Sequence, residues 1–381
     1  MSSRAAIVGV GLSESGAVPD FSAFQLLARA AQRALAETGL APSDIDGFGS
    51  TGLGILPPVE VAEFLGLRPT WVEATSVGGS TWEVMAAHAV DAIARGHAEV
   101  VLLAYGSTAR TDLKTGRRSA NVSFGAGGPA QYETPAGASL VSKYAMAARR
   151  HMHDFGTTLD QLARVAVEAR KFAALNPAAE RRDPITLADI HNARAVADPL
   201  TALHCCLRSD GAAAVVLTTE ARARDMPMAP VWVLGSAEAS SHSTMSQWND
   251  FTTSPAASTG PVAFRRAGVS PADVDLCMIY DAFTYGVLAA LEDLGFCHKG
   301  EGGRFIEEVG IGPGGGLPVN TDGGGLSACH PGQRGLFLLV EAARQLRGEA
   351  GPRQVPNARL ACVNGTGGWF SSAATMVLGR E

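Results

Sequence analysis

Residues 323–335, GGGLSACHPGQRG, put Cys329 and His330 side by side after a run of glycines. The pattern predicts that this loop delivers them to the start of a helix. A helix N-terminus presents unpaired N–H groups and the positive end of the macrodipole, so it stabilises an anion. A cysteine there could serve as a thiolate nucleophile beside a histidine. Adjacent side chains usually point in different directions, which makes Cys329 a small half-buried thiol rather than a partner of His330. Three further stretches carry reactive types. They are Tyr280-Asp281 in IYDAF, Cys362 in ACVNGTGG, and Ser76 in the glycine turn TSVGGST.

These residues need a scaffold, and the chain repeats one. Residues 39–46 read GLAPSDID and residues 268–275 read GVSPADVD. Each copy follows a helix-like segment and runs into a strand. A second pair also matches. Residues 78–106 read glycine turn, helix, buried strand and glycine, and so do residues 332–365. A repeat this long is a duplicated α/β half, not a solenoid period. Residues 1–225 form the first half and 226–381 the second. The helix starts near Ser76 and His330 can then face one shared site. Residues of about 108–205 read as an insertion in the first half, carrying NVSFGAGGPAQYETPAG and two amphipathic helix patterns. DGAAAVVLTT then reads as the buried strand that closes that half.

Composition excludes several classes. The chain has 381 residues, which calls for two structural units or one large α/β domain. Net charge is −6 with no basic run, so there is no nucleic-acid footprint. No apolar run is long enough to cross a membrane, and a soluble cytoplasmic protein is expected. The six cysteines form no C-x-x-C pair, giving no signal for zinc. GIGPGGGLP lacks the context of a phosphate-binding loop.

With these motifs in view, the chain resembles the thiolase superfamily, in its sterol-carrier-protein-thiolase-like branch. The resemblance runs over nearly the whole chain. It is carried by SKYAMAARRHMHDFGTTLDQLARVAVEARKFAALNP, by ITLADIHNARAVADPLTALHCCLRSDGAAAVVL and by LPVNTDGGGLSACHPGQRG. It implies duplicated βαβαβαββ halves in α-β-α-β-α layers, with a loop-domain insertion in the first half. Two departures bear on the chemistry. Ser76 stands where the family's nucleophilic cysteine belongs, and Ala282 of Tyr280-Asp281-Ala282-Phe283 replaces a second catalytic cysteine. His330 matches the family's G-H-P histidine, which helps to bind the thioester oxygen; Cys329 replaces the preceding glycine.

Without thiols, retro-aldol cleavage of a β-hydroxyacyl-CoA is the expected chemistry, because it needs no acyl-enzyme. It needs a base for the hydroxyl, donors for the enolate oxygen and a proton for Cα. His330 is one expected donor. Backbone near Ser76, Gly78 and Gly79, or near Asn364, Gly365 and Gly367, supplies another, and the small glycines would admit a bulky acyl group. Tyr280 is the expected acid or base, with Asp281 beside it. Cys362 is a second candidate proton donor at Cα. Arg149, Arg150, His151 and His153 are candidates for the coenzyme A phosphates. The resembled aldolases act on steroid side-chain thioesters. They pair with a separate OB-fold and zinc-ribbon subunit, and the family is normally dimeric, which implies a homodimer or heterotetramer here. Coenzyme A enters only as part of the substrate. Some of these aldolases carry a second tyrosine just before the histidine, where this chain reads Leu326-Ser327-Ala328-Cys329. Two alternatives stay open: an acyltransferase or thiolase using a relocated cysteine, and a non-catalytic subunit that binds acyl-CoA for a partner.

Overall fold

The computed structural model describes residues 4–116, 128–137 and 139–381. The NVSFGAG part of the glycine-rich stretch lies outside them.

The first half runs β1 (Ala5–Leu12), α1 (Ala23–Thr38), β2 (Gly47–Gly49), α2 (Pro57–Leu65), β3 (Trp71–Glu73), α3 (Thr81–Ala94) and β4 (Val100–Ser107). The insertion carries α4 (Leu140–Phe155) and α5 (Leu159–Leu175), and β5 (Gly211–Thr219) closes the half. The second half runs β6 (Val231–Ser240), α6 (Ala256–Ala267), β7 (Leu276–Ile279), α7 (Thr284–Asp293), α8 (Gly335–Arg347), β8 (Leu360–Gly367) and β9 (Ser372–Gly379).

The pairings of the two halves correspond strand for strand. In the first, β2 lies parallel to β3 and β4, β4 is antiparallel to β5, and β5 is antiparallel to β1. In the second, β7 is parallel to β8, β8 antiparallel to β9, and β9 antiparallel to β6. A parallel bridge from Cys277 to Val319 stands where β3 stands in the first half. β1 and β6 pair antiparallel through Ala6–Trp232 and Ile7–Val231, joining the halves into one run of nine strands.

The repeated sequence does the same work twice. Asp44 and Asp273 accept from the backbone N–H of Ala41 and Ser270, each 2.8 Å away, closing a short turn. Asp46 then accepts from Val100 N at 2.8 Å, and Asp275 from Leu360 N at 2.9 Å. Each aspartate thus fixes the start of the strand that runs beside its own.

Three large apolar cores separate the layers among the described residues. α1 and α2 cover the outer face of the first sheet, and α6 and α7, with α4 and α5 of the insertion, cover the second. Between the sheets lie α3 and α8, packed on each other and on strands of both halves. The outer helices approach very closely. A Cβ at Gly11 would lie 2.1 Å from the Ala30 carbonyl oxygen, and one at Gly235 2.4 Å from that of Ala263. This close packing explains why Ala and Gly outweigh aromatic residues.

The helix expected directly after Cys329 begins later. Gly324–Ala328 forms one π-helical turn, closed by Cys329 N donating to Gly324 O at 3.3 Å. Cys329 itself is extended, and α8 starts only at Gly335. Cys329 therefore gains nothing from the end of a helix dipole.

Candidate active site

Tyr280 follows β7 directly, and asparagines on both sides fix that strand end. The Asn320 carboxamide exchanges two 2.8 Å hydrogen bonds with the backbone of Ile279. Tyr280 N donates to the Asn364 carbonyl at 2.9 Å, extending the ladder with β8. The ring is thereby aimed between the starts of α3 and α8. Its hydroxyl donates to Gly332 O at 3.3 Å, and it meets the His330 ring edge to face at 5.5 Å. Burial pushes the phenol well above its ordinary value, with Cys206, Tyr105 and Tyr144 adding to the effect. Tyr280 is therefore a neutral phenol and not a resting phenolate.

His330 is held by its backbone. Its N–H donates to Ser209 Oγ at 3.2 Å, and its carbonyl accepts from Ser209 N at 3.1 Å. Its buried Nε2 has no partner among the described residues, which leaves it for a ligand. Burial, and then the Arg334 charge, push the imidazole down to about 4. It stays neutral at ordinary pH, so kcat/KM is expected to show no limb near the usual imidazole value of about 6.5. A pH–rate profile with such a limb, abolished in His330→Gln, would contradict this assignment.

Asp281 turns away from the reacting groups. Its carboxylate accepts from Gly325 N at 2.7 Å and Leu326 N at 3.1 Å, and Arg334 Nε lies 3.7 Å away. A Cβ at Gly324 would fall 2.0 Å from Asp281 Oδ2, so glycine is needed for the carboxylate to reach the loop. Arg334 is fully buried; it donates to Cys329 O at 2.6 Å and pairs with Asp322. Burial raises Asp281 to about 6, against the pull of Arg334 and the two N–H groups. Asp281 and Arg334 together hold the histidine loop.

Neither cysteine stands ready as a nucleophile. Cys329 points away into the central core, its Sγ 3.9 Å from the Asp210 carbonyl, and burial pushes its thiol up to about 12. Cys362 is fully buried on β8 beside Cys277 of β7, on the face of the sheet turned to the outer helices. Burial argues against the alternative of a relocated nucleophilic cysteine and keeps Cys362 from donating a proton at Cα. Cys329→Ala is expected to keep activity within about twofold and to cost about 1 kcal/mol of stability. Activity after exhaustive alkylation of the native protein checks the same point.

Several other expected positions are placed differently. Ser76 is exposed, ahead of the turn that starts α3. Gly78 has φ +83°, a left-handed conformation that favours glycine. The room at Gly79 does not serve an acyl group. A Cβ there would meet the Thr366 carbonyl at 2.1 Å and Tyr280 Cζ at 2.6 Å. Gly367 packs as closely, 1.8 Å from its Cβ position to Val77 O. The Asn364 side chain bonds Thr375 Oγ1 at 2.9 Å, so only its backbone serves Tyr280. In the insertion, His151 is fully buried, with Nδ1 2.8 Å from Thr157 and Nε2 2.9 Å from Glu292. It ties α4 to α7 and cannot reach a phosphate. Arg149 pairs with Asp198, while Arg150 and His153 both pair with Asp154 on the surface.

The structure adds residues that sequence reasoning missed. Tyr144 of α4 donates to Gly368 O at 3.1 Å and packs on Phe283 with ring centres 4.4 Å apart. Cys206 donates its N–H to Ala282 O at 2.8 Å, and its thiol stays protonated through burial. Tyr105 of β4 donates to Pro331 O at 2.9 Å. Nothing in the sequence ties Tyr144 to Tyr280. Among the described residues, no three His, Cys, Asp or Glu side chains gather as a metal site requires.

Two α/β halves enclosing paired central helices, with a histidine loop at their N-terminal ends, define a thiolase-like protein. Residues 237–380 match the family described as thiolase C-terminal domain-like. An acetyl-CoA acetyltransferase of Methanothermobacter thermautotrophicus is 34% identical, over 98% of this chain and 99% of its own length. The 17-hydroxy-3-oxo-4-pregnene-20-carboxyl-CoA lyase of Mycobacterium tuberculosis is 35% identical, over 91% and 92%. Among solved structures, the Ltp2-ChsH2(DUF35) aldolase superposes with a TM-score of 0.89 at 33% identity, covering 99% of this chain and 98% of that one. The chain belongs to the thiolase superfamily, in its sterol-carrier-protein-thiolase-like branch without the catalytic cysteines.

Proposed function

We propose that this chain cleaves a β-hydroxyacyl-CoA by retro-aldol reaction, giving a ketone or aldehyde and a short acyl-CoA. The relatives divide between acyl transfer and carbon–carbon cleavage, so the residues must decide. The carrying observation is the pairing of the neutral Tyr280 phenol with a His330 ring whose Nε2 has no partner among the described residues, in a site where burial holds the Cys206 and Cys329 thiols protonated. Such a site handles protons and binds an oxyanion, but has nothing to form an acyl-enzyme. His330 donates to the thioester oxygen as the enolate forms, and the Tyr280 hydroxyl carries protons to and from the substrate.

The lyase and steroid side-chain-cleaving aldolase relatives support a bulky acyl group. The Ltp2-ChsH2(DUF35) likeness supports a separate partner subunit, in line with an OB-fold and zinc-ribbon protein. A homodimer is supported by the free strand edge at β3, where Val72 is exposed, and by the exposure of Ile55, Val59 and Phe64 in the preceding segment. No helix among the described residues is long and apolar enough to cross a membrane, which suits a cytoplasmic setting.

The test offers a bulky β-hydroxyacyl-CoA without free coenzyme A, and separately a β-ketoacyl-CoA with it. Acetyl- or propionyl-CoA released from the hydroxy substrate supports cleavage. Thiolysis of the keto substrate would instead establish acyl transfer and overturn this reading.

A further inference from the structure

A carboxyl group without a partner lies beneath the site. Glu83, in the first turn of α3, is fully buried, and neither of its oxygens finds a hydrogen-bond partner among the described residues. Two glycines make its room. A Cβ at Gly335 would lie 2.6 Å from Glu83 Oε2, and one at Gly365 2.2 Å from it. Gly335 opens α8, just beyond the histidine loop. Gly365 follows Asn364, whose carbonyl fixes Tyr280. Gly79 lies in the short turn Gly78–Ser80 that leads into α3, four residues before Glu83. Gly79 is the residue whose Cβ position abuts the Tyr280 ring at 2.6 Å. Glu83 thus lies over Gly365, next to the strand residue that receives the Tyr280 N–H, where the segments that build the site meet.

The charged and titratable groups on the surrounding elements are engaged elsewhere. Arg334 serves Asp322 and Asp281, Glu341 of α8 serves Arg353 and Thr321, and His88 of α3 bridges Glu73 and Glu238 of β6. Tyr105 and Tyr280 donate to the Pro331 and Gly332 carbonyls, and Cys362 of β8 faces the opposite side of its sheet. Burial alone pushes the Glu83 carboxyl up to about 8, its own backbone N–H opposing. A base with such a value is well matched to neutral pH, whereas Tyr280 by itself is too weak an acid to supply a phenolate.

Resting on the retro-aldol reading, we propose that Glu83 is a positioning residue that acts through Tyr280 as the proton store of the reaction. The β-hydroxyl gives its proton to the Tyr280 oxygen while the phenolic proton passes, through an intervening water, to the Glu83 carboxylate. The C=O bond forms, the Cα–Cβ electron pair moves into the thioester enolate, and the ketone or aldehyde departs. Glu83 returns the proton to Tyr280, which delivers one to Cα. Each turnover takes one proton from oxygen and places one on carbon, so no outside acid or base is consumed.

Glu83→Gln keeps the shape and removes the titration. In the wild type, kcat/KM for a β-hydroxyacyl-CoA is expected to rise with pH and level off above about 8. The variant should lose about 10²-fold in kcat with KM little changed, and lose that limb. Wild-type rate and limb in the variant would show a structural role only. A second readout needs no turnover. Below 4.5 the carboxyl is protonated whether folded or unfolded; between 4.5 and about 8 only the unfolded chain gives up its proton. The wild-type Tm should therefore fall relative to that of Glu83→Gln across this window. A constant difference would mean that Glu83 ionises normally, and the proposal fails. If the variant does not fold, a flat wild-type profile between about pH 6.5 and 9 overturns the proposal alone. A wild type that cleaves no β-hydroxyacyl-CoA refutes the underlying function instead.

Discussion

Tyr280→Phe is expected to fold normally and to lower kcat by about 10²- to 10³-fold with little change in KM. The ring fills the space left at Gly79, and phenylalanine keeps that packing. The hydroxyl makes one long bond, 3.3 Å to Gly332 O, so its loss should cost about 1 kcal/mol or less of stability. What disappears is the hydroxyl of the ring that sits edge to face with His330. Tyr105→Phe is the control. Tyr105 holds the adjacent carbonyl of Pro331 through a shorter bond of 2.9 Å, so it is at least as important for the shape of the loop. A large loss for Tyr280→Phe with a small one for Tyr105→Phe assigns Tyr280 to the chemistry. Equal losses would mean that both tyrosines merely hold residues 331–332, and the catalytic role of Tyr280 would have to be given up.

The duplicated architecture was legible because its signals are local and repeated. Asp44 and Asp46, like Asp273 and Asp275, each close a turn or start a strand through a side chain only a few atoms long, and that need shows in the sequence as a spaced motif. The grouping of Tyr280 with His330 was readable through the histidine loop. The surroundings of the site were not. A glycine shows that a side chain is absent without showing what fills the space. At Gly79 it is the Tyr280 ring, and at Gly335 and Gly365 it is Glu83. Glu83 itself reads as an ordinary acid in a helix's first turn, a common and favourable placement. Only the packing of both sheets against α3 shows it to be dry. His151 was misplaced for the same reason, since its basic neighbours are exposed while the one residue facing inward meets Glu292.

Arg334→Leu should be the most damaging single change to the fold near the site. It leaves Asp281 and Asp322 without their cation and frees the Cys329 carbonyl. Breaking a buried ion pair from one side costs about 3–5 kcal/mol. Activity should fall with stability, because the loop that Arg334 anchors also carries His330 and the carbonyl that receives the Tyr280 hydroxyl. The loss should depend on pH in a definite sense. Asp281 is raised from 3.8 to about 6 in the folded protein even with Arg334 opposing the shift. An acid raised on folding lowers stability as pH climbs from its unfolded to its folded value. Without Arg334 that folded value moves higher still, so the variant should keep losing stability at pH values where the wild type has levelled off. The gap in Tm between the two proteins should accordingly be small near about pH 4 and widen toward about pH 8. Adding Asp281→Asn should narrow it, since the amide needs no cation and its one carbonyl oxygen still accepts from one of the two loop N–H groups. A gap that is independent of pH, or unaffected by Asp281→Asn, would mean that Arg334 contributes by filling space and not by holding the Asp281 charge beneath the histidine loop.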